Sequence, residues 1–244
     1  NRIRAIAIQQ GLSFYDARAN TGFLRNMIIR VSSVGEIMLI MAFHEDEPEK
    51  YKPLLDQILK DFPTLTTLLY CINPKVNDYL MDLDMITYFG KGYIQEKLRN
   101  VYFRIGPKSF FQTNTHQGKR LYDTVVEFAD LQGTENVYDL YTGIGSIALY
   151  VAQQARQVVG IEEIEAAIED AKVNADLNKI SNAIFYAGDV RNILTPQFAE
   201  EHGKPDLLIT DPPRAGMHTD VVKMLLQLSS PKLVYVSCNP ATQA

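Results

Sequence analysis

The chain has 244 residues, of which 46% are hydrophobic and 22% charged, with a formal net charge of -5. That size accommodates one large domain or two smaller ones around a real core, and the acidic balance gives no support to strong nonspecific nucleic-acid binding, which needs Lys and Arg to neutralise phosphates. No apolar run reaches the roughly 18 residues of a membrane span. No secretory signal is visible, and two cysteines, Cys71 and Cys238, are too few for a disulfide scaffold and suit a reducing cytosol, so a cytoplasmic location is expected. His44, His116, His202 and His218 are scattered without ligand spacing, and no metal site is expected.

The first part of the chain reads as a small α+β domain, residues 1–108. Met27 to Val31 and Glu36 to Phe43 are expected strands, joined near Ser32-Ser33-Val34-Gly35 as a hairpin. Tyr51 to Phe62 places Leu54, Leu55, Ile58 and Leu59 on one helical face. Leu65 to Ile72 is a further strand, with Cys71 in its apolar interior, and Tyr93 to Gln95 and Val101 to Ile105 form a later pair. Asn114 to Leu131 is a helix whose stripe is Leu121, Val125, Phe128 and Ala129. Arg99, Arg104, Lys108, Lys119 and Arg120 form a local basic cluster, for which a solvated face is the simpler reading.

From Asn136 onward, strands alternate with helices. Expected strands are Val137 to Tyr141, Gln157 to Glu162, Ala183 to Tyr186, Asp206 to Thr210 and Leu233 to Ser237. Expected helices are Ser146 to Gln154, Ile164 to Asn178 and Val221 to Leu228. This rhythm implies a parallel sheet with right-handed crossovers over residues 109–244. No helix follows the last strand.

Four strand ends carry candidate chemistry, where open α/β sheets bind ligands. Gly143-x-Gly145-x-x-Ala148 follows a strand and opens a helix, and its glycines allow a tight turn and close ligand approach. Alone it fits a dinucleotide site, an S-adenosylmethionine site or a plain turn. Glu162 ends the next strand, where a carboxylate can accept both ribose hydroxyls. Asp139 stands four residues before Gly143; a pyrophosphate there would be repelled and a sulfonium or amino group would not, which favours S-adenosylmethionine. Asp189 can accept from an adenine amino group, although each acidic residue could also be an ordinary cap or turn residue. Asp211-Pro212-Pro213-Arg214 holds a stiff loop, and Arg214 suits a phosphate or carbonyl oxygen.

Cys238 lies just past the last strand among polar neighbours, facing the same sheet edge as the glycine turn. A lone cysteine is often only a small buried hydrophobe. A thiolate beside S-adenosylmethionine has a use, however. Its addition to carbon 6 of uracil gives an enolate whose carbon 5 can take the sulfonium methyl, after which a base removes the carbon 5 proton and the cysteine leaves. Arg214 could favour the thiolate and stabilise the enolate oxygen.

These stretches resemble the RNA 5-methyluridine methyltransferases. The resemblance runs from about Leu24 onward. It rests on Phe110-Phe111-Gln112-x-Asn114, Asp139-Leu140-Tyr141-x-Gly143-x-Gly145, Gly160-Ile161-Glu162, Asp211-Pro212-Pro213-Arg214 and Ser237-Cys238-Asn239-Pro240-x-Thr242. It implies a Rossmann-like S-adenosylmethionine-dependent domain with a truncated parallel sheet. It further implies that Gln112, Tyr141, Glu162, Asp189 and Asp211 contact the cofactor, that Cys238 is the nucleophile and that Arg214 supports the uracil site. Ser146 falls at a cofactor position where the family usually has Asn. The implied substrate is RNA, ribosomal first and transfer RNA second. The family's RNA-binding barrel and iron–sulfur cysteines have no counterpart in the sequence, and no Asp or Glu follows Cys238 to serve as the family's glutamate base. The chain is therefore expected to be a fragment that binds S-adenosylmethionine and turns over poorly. The alternatives are another nucleobase or amino methyltransferase, or a noncatalytic RNA-binding module.

Overall fold

The computed structural model describes residues 1–239. They form two compact units. The first comprises residues 1–96 and 105–108, the second residues 97–104 and those from 109 onward.

The first unit holds α1 (Arg2–Gln9), β1 (Leu24–Val31), β2 (Ile37–Phe43), α2 (Pro48–Asp61), β3 (Thr67–Ile72) and β4 (Ile86–Gly90), with the sheet in the order β1-β2-β3-β4. β1 and β2 make the antiparallel hairpin expected around Ser32 to Gly35. β3 then pairs parallel to β2, a connection made by α2, which buries Leu54, Leu55 and Ile58 completely. Removing each such side chain from water contributes roughly 1.5–3 kcal/mol. Cys71 is buried in β3, the structural role expected of it. Two elements were not expected. α1 is a short helix whose apolar residues run together from Ala5 to Ile8, and β4 is a mostly exposed edge strand, with Ile86 and Phe89 in solvent and Tyr88 packed on the core.

β5 (Ile94–Leu98) and β6 (Val101–Ile105) form a two-stranded ladder. Its tip, residues 97–104, belongs to the second unit, where Asn178 Oδ1 and Asn174 Oδ1 accept from the backbone N–H groups of Tyr102 and Arg104, each at 2.7 Å.

The second unit continues with α3 (Thr115–Ala129), β7 (Asn136–Leu140), α4 (Ser146–Ala152), β8 (Gln157–Glu162), α5 (Glu165–Leu177) and β9 (Ala183–Ala187). Then follow α6 (Val190–Ile193), α7 (Pro196–His202), β10 (Leu207–Thr210), α8 (Thr219–Leu228) and β11 (Lys232–Tyr235). The five strands are parallel, in the order β11-β10-β7-β8-β9. The chain steps outward from β7 to β9 and then returns to the other side of β7. That reversal places a crevice at the carboxyl ends of β7 and β10. Every residue of β7 is buried, as a central strand covered on both faces requires. The α3 stripe differs from the expected one. Gly118, Tyr122, Val125 and Ala129 face inward, Leu121 is half-buried and Phe128 is exposed. The helix is rotated because Tyr122 contributes a large apolar ring together with a polar tip that finds a partner inside.

Candidate active site

The turn after β7 is held by bonds from several elements. Tyr141 adopts φ 63, Gly143 φ 56 and Gly145 φ 78. Left-handed residues at every second position bend the chain sharply, and glycine takes such angles without the Cβ penalty. The Thr142 N–H donates to Ile161 O at 3.0 Å, and the Gly145 N–H to Thr142 O at 2.9 Å. A Cβ on Gly143 would meet nothing within 4 Å, so this backbone lies open to a ligand. A Cβ on Gly145 would crowd Phe185 and Ala171 at 3.1–3.2 Å, so this glycine serves packing.

Asp139, the fourth residue of β7, is 1% exposed. Its Oδ2 accepts from the Thr142 hydroxyl at 2.6 Å and the Ala148 N–H at 3.0 Å, while Oδ1 is buried without a partner among the described residues. Burial pushes the Asp139 carboxyl up to about 7, and the neighbouring carboxylates of Asp211 and Glu162 add to the rise. Asp211, half-buried just past β10, is pushed up to about 6 by burial. Glu162 ends β8. Its Oε2 accepts from the Gly143 N–H at 3.0 Å and its Oε1 from the Ile164 N–H at 3.1 Å. Each carboxylate oxygen has a second lone pair, so Glu162 keeps capacity for two hydroxyls.

The carboxyl ends of three adjacent strands, β10, β7 and β8, thus carry Asp211, Asp139 and Glu162. A buried unpartnered carboxylate oxygen beside an open glycine backbone suits a cation that also offers hydroxyls. The residues therefore fit S-adenosylmethionine, with its sulfonium, amino group and ribose.

Asp189 is engaged within the chain, in the capping role weighed as its alternative. It caps α6, accepting from the Arg191 N–H at 2.8 Å, and pairs with the Arg191 guanidinium, which holds its carboxyl below the usual carboxylate range. An adenine amino group would have to share this carboxylate with Arg191. Gln112 lies in the segment before α3, and its side-chain stem sits where a Cβ on Gly118 would come within 2.9 Å. Gly118 is what lets Gln112 lie against α3.

Cys238 is exposed, three residues after β11 ends. Ser237 Oγ accepts from the Asn239 N–H at 3.0 Å and donates to Asn239 O at 2.9 Å, a tight bend with Cys238 at its tip. Arg214 is exposed in the loop after the neighbouring strand β10. Pro240 and Thr242 of the motif lie outside the described residues. Among the described residues, no group of three or more His, Cys, Asp or Glu could hold a metal ion, and no helix is long and apolar enough to cross a membrane.

Three residues at the turn escaped sequence reasoning. Thr142 orders Asp139, Asn174 donates to Ile144 O at 3.2 Å, and Tyr122 donates to Ser146 Oγ at 3.0 Å. Among these, only Thr142 carried a local signal, a hydroxyl three residues after a strand-end carboxylate.

The second unit has the Rossmann-like fold of S-adenosylmethionine-dependent methyltransferases, and residues 131–240 match a family model described as a methyltransferase domain. A Bacteroides thetaiotaomicron protein named as an uncharacterized RNA methyltransferase is 52% identical over 247 residues, covering 100% of this chain and 54% of the relative. A Porphyromonas gingivalis protein of the same name is 50% identical, covering 95% of this chain and 50% of the relative. The chain spans about half the length of these curated relatives. Among solved structures, it is similar to the Pyrococcus abyssi tRNA (uracil-54, C5)-methyltransferase in complex with S-adenosyl-L-homocysteine. The TM-score is 0.81 and the identity 29%, covering 99% of this chain and 57% of the other.

Proposed function

We propose that this chain is part of an enzyme that methylates carbon 5 of a uridine in RNA with S-adenosylmethionine. The observation that carries the reading is the likeness to a tRNA (uracil-54, C5)-methyltransferase across 99% of the chain. Cys238 and Arg214 at the ends of adjacent strands agree with it. S-adenosylmethionine, when bound, supplies an electrophilic methyl on a sulfonium.

Asp139 and Asp211 face that cation, Glu162 accepts from the ribose, and Gln112, Tyr141, Gly143 and Asp189 complete the pocket. The Cys238 thiolate adds to carbon 6 of the uracil, forming a C–S bond and sending the ring electrons toward the carbonyl oxygen, where Arg214 offers positive charge. The exposure of Cys238 suits a nucleophile that must meet a base taken out of its stack. Residues 109–244 are assigned the catalytic role and residues 1–108 an RNA-facing one. Ribosomal RNA is the first candidate substrate and transfer RNA the second.

The test is an RNA carrying 5-fluorouridine, incubated with protein and S-adenosylmethionine. A covalent adduct that survives denaturation and disappears in Cys238→Ala is expected. Methyl transfer that persists in Cys238→Ala would refute the uracil carbon 5 chemistry and point to another base or to an amino group.

A further inference from the structure

Tyr122 is 2% exposed and lies within α3, in none of the motif stretches of the sequence. Its ring packs edge-on against Tyr150 at 5.5 Å. Its hydroxyl has one partner among the described residues, Ser146 Oγ at 3.0 Å. Ser146 is the first residue of α4, directly after Gly145 of the turn. Phenylalanine would fill the same space, so the buried hydroxyl needs a reason beyond packing.

The proton inventory supplies one. A serine hydroxyl has one proton and two acceptor lone pairs. Burial pushes the Tyr122 phenol up to about 12; the Ser146 hydrogen bond works the other way but is outweighed, and the carboxylates of Asp211 and Asp139 also oppose ionisation, so the phenol keeps its proton. With no other acceptor for it among the described residues, the Tyr122 proton goes to Ser146 Oγ. The Ser146 proton is then left to point elsewhere, and Ser146 makes no second hydrogen bond among the described residues. Ser146 is half-buried and follows the turn whose Gly143 backbone lies open.

We propose that Tyr122 is a positioning residue of the methyl-donor site: it occupies one lone pair of Ser146 and turns the Ser146 proton toward an acceptor on the bound ligand. The inference rests on the reading that this turn holds S-adenosylmethionine. Hydrogen bonds in series polarise one another, so the donated bond also strengthens the one Ser146 makes. Removing the Tyr122 hydroxyl frees Ser146 to rotate, while the ring and its packing remain.

The experiment is calorimetric titration of S-adenosylhomocysteine into this chain and into Tyr122→Phe, Ser146→Ala, Ser146→Thr and the two Tyr122→Phe double variants, with thermal midpoints recorded for each. Tyr122→Phe is expected to weaken binding about fivefold, the size of one net hydrogen bond, with its midpoint little changed. Added to Ser146→Ala, it should cost nothing more. Ser146→Thr, which keeps a hydroxyl, should bind like the parent and lose affinity again with Tyr122→Phe. Unchanged affinity in Tyr122→Phe, or losses that simply multiply in the double variant, would overturn the inference. Should Tyr122→Phe fail to fold, Ser146→Ala against Ser146→Thr decides: equal affinities would overturn it. No binding by the parent chain would overturn the cofactor reading and this inference together. Binding by the parent with independent losses would overturn this inference alone.

Discussion

Replacing Asp139 with Asn separates the two things its carboxyl does. The group rises from an ordinary value of 3.8 to about 7, chiefly through burial. At about 1.4 kcal/mol per tenfold change, ionising it in the folded protein costs about 4 kcal/mol. The sign follows from proton binding. Below about pH 4 the carboxyl is protonated folded and unfolded, and there is no penalty. As pH rises toward 7 the unfolded chain has released its proton while the folded one still holds it, so stability falls through that window. The penalty is about 2 kcal/mol at pH 5 and nearly complete at pH 8. Asn keeps an oxygen for the Thr142 hydroxyl and the Ala148 N–H, but places an amide NH2 where Oδ1 is unpartnered, at a cost of about 1–3 kcal/mol. Asp139→Asn should therefore stabilise the ligand-free chain by about 1–3 kcal/mol at pH 8 and by about zero at pH 5. Urea unfolding followed by circular dichroism at the two pH values measures both. A variant that is destabilised at pH 8, or whose gain is the same at both pH values, would refute the buried-carboxylate argument.

The same carboxylates should discriminate between methyl donor and product. S-adenosylmethionine carries a sulfonium and S-adenosylhomocysteine a neutral thioether, so the ratio of their affinities should rise several-fold between pH 5.5 and 8, as Asp211 and Asp139 ionise. A flat ratio in paired titrations would place the sulfonium elsewhere. Gly160→Ala would put a Cβ 2.6 Å from Phe185 Cδ1 in the strand beneath the turn, and should cost roughly 1–3 kcal/mol in chemical unfolding. An unchanged unfolding midpoint would mean that Phe185 moves freely, which its burial in β9 argues against.

The parallel sheet was legible because its signals are local. β8 matches its expected span, and β7, β9, β10 and β11 fall within two residues at each end, since each is a short apolar run closed by a polar strand end. Elements without such a closed local signal were not expected. α1 runs apolar from Ala5 to Ile8, too short a run to mark a helix, yet it is helical and buries Ile6 and Ala7. β4 pairs at the edge of its sheet, where Ile86 and Phe89 stay exposed and Tyr88 packs on the core. The assignment of residues 97–104 to the second unit had no local trace at all. It depends on Asn174 and Asn178, 70 and 76 residues from their partners, satisfying the backbone of β6.

The candidate site divides along the same line. Asp139, Gly143, Glu162, Asp211 and Cys238 stand at strand ends, and a strand followed by a turn announces itself in a few consecutive residues. The groups that hold these residues in place come from helix interiors. Asn174 lies in the charged sequence of α5 but is fully buried, bonded to Arg104 N and Ile144 O. An apolar stripe on α3 selects Leu121 and Phe128 over Tyr122, because it ranks residues by hydrophobicity, whereas a buried phenol is placed by where its proton can go. Periodicity therefore finds the faces that exclude water, and it is blind to a polar atom buried on such a face. At this turn those atoms fix a backbone carbonyl at Ile144 and a hydroxyl at Ser146, one on each side of Gly145, so the shape of the turn depends on residues that no motif contains.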